Sequence, residues 1–490
     1  MNDNLSALLD NIGRSDMLTT AYDTAWVARL TEFDRDLGLP AMEWLCENQL
    51  PDGSWGAGQA YYYHDRVIST LSAMIALTKY GRRHSDKVAI EKGLKALEDI
   101  TNNATRGLRE ALKGMTVGFE MIVPTLVAEA ESLGIIKQQK ERILGRISQQ
   151  RAQKLAHLKG KMINRDVTMA FSAEMAGVDA LSMLDLDNLQ EKNGSVGCSP
   201  SATAYFVLEG KRGEPRAMEY LYKIRREVGG APNVAPFDVF EIAWTLWNLS
   251  LVPGYEGLGE KALRHVDFLS KVWDAGGGAG FSSEYSVNDS DETSVVFESL
   301  LRFGNRKNIG CILAFESKEW FKCFPLERDP SISANIHVLG ALRAAGKKVD
   351  DPSIQKILHF LRSNKNMDGG WDDKWHISPY YTTSHAIIAC AGFANELVKG
   401  PVEWLIKTQH QDGSWGLFTS TAEETAYALQ ALWTWNNNAG KIPQAILLRG
   451  KNWLENNEWD YSPLWIGKCL YTPKLVIDSA ILSSLALVNQ

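Results

Sequence analysis

Residues 44–56 read WLCENQLPDGSWG, and residues 404–416 read WLIKTQHQDGSWG. Eight of these thirteen positions are identical across a separation of 360 residues. Weaker copies occur as FLRSNKNMDGGW at 360–371, LQEKNGSVG at 189–197 and WDAGGGAGF at 273–281. Each copy has one grammar: an apolar-periodic helix ends in polar residues, a Gly turn follows, and then a Trp or another apolar residue. Asp-Gly and Gly-Gly supply the turn. Repeats of this kind set the architecture before any single residue does.

A second helix follows each turn. These helices include SPSATAYFVL from Ser199, DETSVVFESLL from Asp291, PSISANIHVLGAL from Pro330, YYTTSHAIIACAG from Tyr380 and TAEETAYALQALW from Thr421. Small and apolar residues surround them with few charges, which suits buried inner helices. The helices before the turns carry more charge and suit an outer ring. Helix pairs at a period of roughly 40–50 residues stack into a solenoid or close into a ring. The inner helices are too apolar for an open superhelix, so an all-α chain of two α/α barrels is expected. Strand signals are almost absent. The Pro- and Gly-containing VPGYEGLG at 252–259 is the expected divide. The helix TAYDTAWVARL (20–30) resembles the inner helices of the C-terminal half. The expected domains are therefore 1–35 plus 260–490, with a second barrel inserted at 36–259.

The chain has 490 residues, which at roughly 150 per domain allows about three domains or two large ones. Apolar residues make up 45% and charged residues 23%, ordinary for a soluble globular chain. Net charge is −7 and no Lys/Arg-rich block occurs, which argues against nucleic-acid binding. Sixteen Trp is an unusual load and points to repeated structural use or an aromatic-lined cavity. The six Cys show no CxxC and no metal-ligand spacing with His, so they read as buried free thiols of a reducing cytoplasm. The N-terminal MNDNLSALLDNIGRSD has no apolar core and does not read as a signal peptide. No apolar run approaches the ~18 residues of a membrane span.

The QxxDGSW turns resemble the repeat of squalene–hopene cyclases and class II diterpene cyclases. Further segments resemble the diterpene cyclases in particular: AYDTAWVA (21–28), MTVGFEMIVPTL (115–126), GSVGCSPSATAY (194–205), PNVAPFDVFE (232–241), PSISANIHVL (330–339), DKWHISPYYTT (373–383), TAEETAYAL (421–429) and PLWIGKCLY (463–471). They span the chain in family order. The closest resemblance is to bacterial halimadienyl (tuberculosinyl) and copalyl diphosphate synthases. It implies a γ barrel inserted into a β barrel, with the active site between them.

The family acid motif, DxDD or DxDTT, reads here Asn288-Asp289-Ser290-Asp291-Glu292-Thr293-Ser294. By itself, Asp289-x-x-Glu292 fits a capping box at a helix start. The resemblance makes Asp291 the proton donor, with Asp289 beside it. The chemistry asks for such a group: an isolated alkene is a very weak base, so its donor must be a neutral carboxylic acid. Desolvation and adjacent carboxylates both favour the neutral form. Glu292 departs from the family's Asp or Thr, and a longer carboxylate there is expected to turn away. Asn335 matches the position that holds the family acid in its reactive orientation. His337, two residues on, faces elsewhere and reads as a core or supporting histidine.

The metal motifs with which class I terpene synthases ionise a diphosphate are missing: Asp350-Asp351 and Asp372-Asp373 both lack the third Asp. The diphosphate is therefore expected to survive into the product. Lys374 and Lys154 match lysines the family uses near it. The family's Mg²⁺-linked acidic segment is reduced to Arg109-Glu110-Ala111-Leu112-Lys113, so Mg²⁺ is an expected cofactor without assigned ligands. Trp375, Tyr380 and Tyr381 are candidate cavity aromatics, because ring faces stabilise cations without bonding to them. Plant ent-copalyl synthases organise the final deprotonation with a His and an Asn. Asn233 is present here, while Phe171 replaces the His, which favours rearranged halimane or clerodane skeletons. The implied activity is cyclisation of geranylgeranyl diphosphate to a bicyclic diphosphate. Farnesyl diphosphate and, more remotely, squalene-type substrates are the alternatives. A class I terpene synthase or a phosphatase is the expected downstream partner.

Overall fold

The computed structural model describes residues 2–102, 114–136, 143–145, 147–157, 160–226, 228–325, 327 and 329–490. Six helices form the inner ring of one barrel: Asp238–Leu249, Ser290–Arg302, Ile332–Ala344, Pro379–Cys390, Ala422–Asn438 and Lys474–Val488. Each packs on the next and the last packs on the first, so the ring is closed. Asn2–Asn11, Gly259–Val272, Pro352–Ser363, Asn395–Lys407 and Gln444–Asn456 lie outside it. The inner helices start where the sequence supplies caps. Ser331 Oγ accepts from Ala334 N, Ser378 Oγ from Tyr380 N, and Thr421 Oγ1 from Glu424 N.

The repeated turns join each outer helix to the next inner one. The buried indoles of Trp55, Trp371 and Trp415 donate to the carbonyls of Leu45, Leu361 and Leu405 at 2.7–2.8 Å. Those carbonyls belong to the last turn of the preceding helix, beyond the regular i to i+4 hydrogen bonding. The same Trp amides donate to Thr70, Thr383 and Thr425 of the following inner helices at 3.0–3.1 Å. Gly413 adopts φ +99°, and a Cβ there would stand 2.6 Å from the Arg449 carbonyl, so the turn requires Gly.

A second ring closes through Ala21–Ala28, Tyr63–Tyr80, Phe119–Ser132, the 3₁₀ segment Thr168–Ala176 and Pro200–Tyr205. Arg35–Glu47, His84–Asn102, Ile147–His157 and Pro215–Ile224 pack around it. Its boundaries differ from the expected 1–35 plus 260–490 around 36–259. The helix Ala21–Ala28 is buried in the core of the inserted barrel, and Asp238–Leu249 completes the other ring. The crossings fall between Met17 and Ala21 and between Ala231 and Val234. There the two connections are zipped as antiparallel strands, Thr19 opposite Pro232 and Thr20 opposite Ala231. Residues 252–259 are only the turn between two helices of one barrel; their Pro and Gly mark a tight connection, not a domain boundary. No helix among the described residues is long and apolar enough to cross a membrane.

Candidate active site

A cavity of about 160 Å³ lies between the barrels. Val117, Thr168 and Phe171 reach it from the inserted barrel, and the remaining wall is mostly aromatic: Phe240, Trp244, Phe281, Tyr285, Trp375, Tyr381, Trp465 and Tyr471 among others. Asn233, Asp289, Asp291 and Glu292 bring polar atoms to it, and no Lys, Arg or His is part of the described lining.

The carboxyls sit at the head of the inner helix Ser290–Arg302. Asp289 is its N-cap, with Oδ1 accepting from Asp291 N and Glu292 N at 2.9 Å each. A full capping box would return the Glu292 side chain to Asp289 N. That amide instead donates to Ala279 O at 3.1 Å, and Glu292 faces the cavity, where it was expected to turn away. Burial first, and then the Glu292 carboxyl, hold the Asp289 pKa well above the usual carboxylate range. Burial and the charge of Asp291 push Glu292 up to about 7. Asp291 is 7% exposed.

The partner of Asp291 is not Asn335. The Asn335 amide is buried against backbone, accepting from Phe321 N at 2.8 Å and donating to Phe321 O and Ser331 O at 2.9 and 2.8 Å. It pins the loop before its own helix. His337 stands beside it instead, with Nδ1 2.5 Å from Asp291 Oδ1. Burial opposes a charge on His337, but the Asp291 and Glu298 carboxylates outweigh it and hold its pKa above the ordinary value.

Trp375 and Tyr381 line the cavity as expected, whereas Tyr380 does not. Its ring points outward and stacks on Trp404 of the outer helix, centroids 4.8 Å apart. Tyr381 accepts from Trp244 Nε1 at 3.2 Å and is covered by His376, stacked 4.7 Å away. Behind this wall lies Glu423, 2% exposed, whose Oε1 accepts from Trp465 Nε1 at 2.7 Å and lies 3.3 Å from His376 Nε2. A hydrogen bond to a carboxylate puts negative charge onto the indole it holds, which suits a surface that must face a cation.

Neither expected lysine is part of the lining. Lys374 flanks it: its ammonium is 5.1 Å from the Trp375 ring, pairs with Glu327 and donates to Asp329 O at 2.8 Å. Lys154 pairs with buried Glu120, in the helix that follows the cavity residue Val117. Glu110 lies outside the described residues. Among those described, no group of three His, Cys, Asp or Glu side chains is placed to hold a metal ion.

Phe171 and Asn233 do meet in the cavity, above a buried polar cluster. Asn233 Nδ2 donates to Asp23 Oδ2 at 2.8 Å, and burial pushes the Asp23 pKa up to about 6. Lys468, 0% exposed, donates to Glu174, Ser199 and Ser201 at 2.6–2.8 Å, with its ammonium 4.6 Å from the Phe171 ring. It stands at the tip of the hairpin Trp465–Ile466/Leu470–Tyr471, within the PLWIGKCLY segment. That segment, read alone, gives no reason to bury its lysine.

Residues 326–460 match the squalene-hopene cyclase C-terminal domain. A type B diterpene cyclase of Mycobacterium tuberculosis is 46% identical, covering 96% of this chain and 96% of its own length. An ent-copalyl diphosphate synthase of a Streptomyces species is 31% identical, covering 91% of this chain and 87% of its own. The solved ent-copalyl diphosphate synthase of Streptomyces platensis superposes with a TM-score of 0.80 at 26% identity, over 100% of this chain and 99% of that one. Kinship of this depth runs through both barrels and the cavity between them, and on it the chain belongs to the class II diterpene cyclases.

Proposed function

We propose that the protein converts geranylgeranyl diphosphate into a bicyclic diterpenyl diphosphate of halimadienyl, clerodane or copalyl type. Asp291 adds a proton to the terminal double bond. The π electrons of the next alkenes close two rings in turn, and the final cation loses a proton, so the reaction is an isomerisation with the diphosphate kept. The observation that carries this reading is a carboxyl at an inner-helix start, held by a histidine on one oxygen, in a cavity walled by aromatic rings. The cavity folds the polyene for ring closure and keeps water from the cation. Incubation with geranylgeranyl and farnesyl diphosphates, then phosphatase treatment and mass spectrometry, tests it. A bicyclic diterpene alcohol from the first is expected, and turnover of the second alone would overturn the chain length. Mg²⁺ is proposed to enter with the diphosphate as its counter-ion, with no step routed through it. The retained diphosphate makes the product a substrate for a class I terpene synthase or a phosphatase.

Lys374, at the cavity edge, is the proposed diphosphate anchor, with Lys154 as a second contact. Charge-assisted hydrogen bonds contribute about 1.5–3 kcal/mol. Lys374→Ala is therefore expected to raise KM roughly ten- to hundred-fold with little change in kcat. Glu327 competes for the same ammonium, so Glu327→Gln is expected to lower KM. Steady-state kinetics of the two variants check this, and movement of KM in the same direction would place the anchor elsewhere.

Phe171 is the proposed determinant of skeleton. It offers no hydrogen bond near Asn233, so the cation lives long enough for hydride and methyl shifts. A His at 171 would stand beside the Lys468 ammonium, which favours its neutral, basic form. Phe171→His is expected to divert product toward the unrearranged copalyl diphosphate, read by gas chromatography of the dephosphorylated alcohols. An active variant with an unchanged product profile would leave Phe171 a packing residue.

A further inference from the structure

Two imidazoles run in series from Asp291 into the barrel wall. His337 Nδ1 is 2.5 Å from Asp291 Oδ1, and His337 Nε2 is 2.8 Å from His385 Nδ1. His385 Nε2 ends the series, buried and without a hydrogen-bond partner. The His385 ring stacks on Trp247 at 4.7 Å and meets Tyr427 edge-on at 5.5 Å. We propose that His385 is a positioning residue: it sets the direction of both hydrogen bonds, so that the acidic proton of Asp291 rides on Oδ2, the oxygen that His337 does not hold. The inference rests on Asp291 being the proton donor.

Proton placement follows from the one free nitrogen. Burial, with the neighbouring His337 and His376, holds the His385 pKa well below its usual value, so the ring carries a single proton. Orphaned N–H groups are rarer in protein interiors than orphaned acceptors. On Nε2 the proton would be orphaned among rings, whereas on Nδ1 it donates to His337. His337 Nε2 is then an acceptor. The largest share of the carboxylate attraction that favours a charged His337 is lost once Asp291 is in its acid form; only Glu298 and Asp373 remain, and burial, the largest single influence, leaves that ring neutral. Its single proton therefore sits on Nδ1 and donates to Asp291 Oδ1. Since Oδ1 accepts this bond, the acid carries its own proton on Oδ2. The reverse polarity would aim that proton at His337, away from the alkene.

His385→Phe keeps the ring on Trp247 and removes the donor. It is expected to lower kcat roughly 10²-fold, the lower end of what a positioned acid contributes, with KM changed less than about two-fold. In His385→Asn the amide nitrogen stands near the Nδ1 position, and this variant is expected to recover at least about a tenth of wild-type kcat. ¹⁵N spectra of histidine-labelled protein, assigned by the His337→Asn and His385→Phe variants, are expected to show both rings as Nδ1–H tautomers in the wild type. Loss of the Nδ1–H form at His337 is expected in His385→Phe. Near-wild-type kcat in His385→Phe would overturn the proposal, as would an Asn variant no faster than Phe at equal thermal stability, or Nε2–H tautomers at both rings in the wild type. The tautomer spectrum needs no turnover. An active Asp291→Asn enzyme would therefore sink the proton-donor reading separately.

Discussion

Asp291→Asn is expected to fold normally and to lose turnover by roughly 10³- to 10⁴-fold, the upper part of the range for removal of a general acid. The amide has the shape of the acid, and its oxygen can still accept from His337 Nδ1. Its N–H is far too weak an acid to protonate an alkene. The start of the helix is not at risk, because Asp289, and not Asp291, caps it. Loss of rate therefore reports chemistry and not unfolding. Initial rates with geranylgeranyl diphosphate, beside circular dichroism of the purified variant, measure both. Turnover within ten-fold of wild type would move the acid to another carboxyl, with Glu292 the next in the cavity.

Lys468→Met is expected to lower the free energy of unfolding by about 3–5 kcal/mol, the cost of leaving one member of a buried ion pair alone. Lys468 and Glu174 are both 0% exposed, and their contact is 2.6 Å. Tyr22 OH still donates to Glu174 at 2.8 Å, but a hydroxyl does not neutralise a carboxylate. Adding Glu174→Gln to Lys468→Met removes the stranded charge and is expected to recover more than half of the loss. Urea unfolding of the wild type, the single variant and the double variant gives the comparison. A loss below about 1 kcal/mol would overturn the ion pair as a contributor to stability.

The barrels were legible because their grammar is local. A polar helix end, a Gly turn and a Trp lie within about a dozen residues, and their hydrogen bonds close inside that span or onto the next helix. Which connection crosses between barrels was not legible. Ala21–Ala28 and the inner helices of the other ring are buried on nearly every side, so their sequences carry no mark of the core they enter. The same limit governs the site. Asn335 and His337 were correctly read as lying on different faces of one helix, but ring closure decides which face fronts Asp291. Lys374 reads as a free cation until Glu327, 47 positions earlier, is placed against it. The place of Asp291 in the cavity is legible because its motif sits at a helix start, where sequence signals are densest. Glu423, His385 and Lys468 work through partners distant in sequence, and no spacing announces them.

The hairpin that carries Lys468 has side chains in both cores. Trp465 belongs to one hydrophobic cluster, while Ile466, Cys469 and Leu470 belong to the other. Its backbone also enters the inserted barrel, with Gly467 O accepting from Val117 N at 2.8 Å and Leu470 N donating to Asp65 at 3.0 Å. A barrel whose own helices are complete by Ile224 thus lacks part of its interior until Leu470 is synthesised. On the ribosome, the first half of the chain must wait with its apolar interior unsealed while the second half is made. A nascent chain stalled before residue 465 should bind chaperones and yield to proteases in both halves, and release of the last segment should protect both at once.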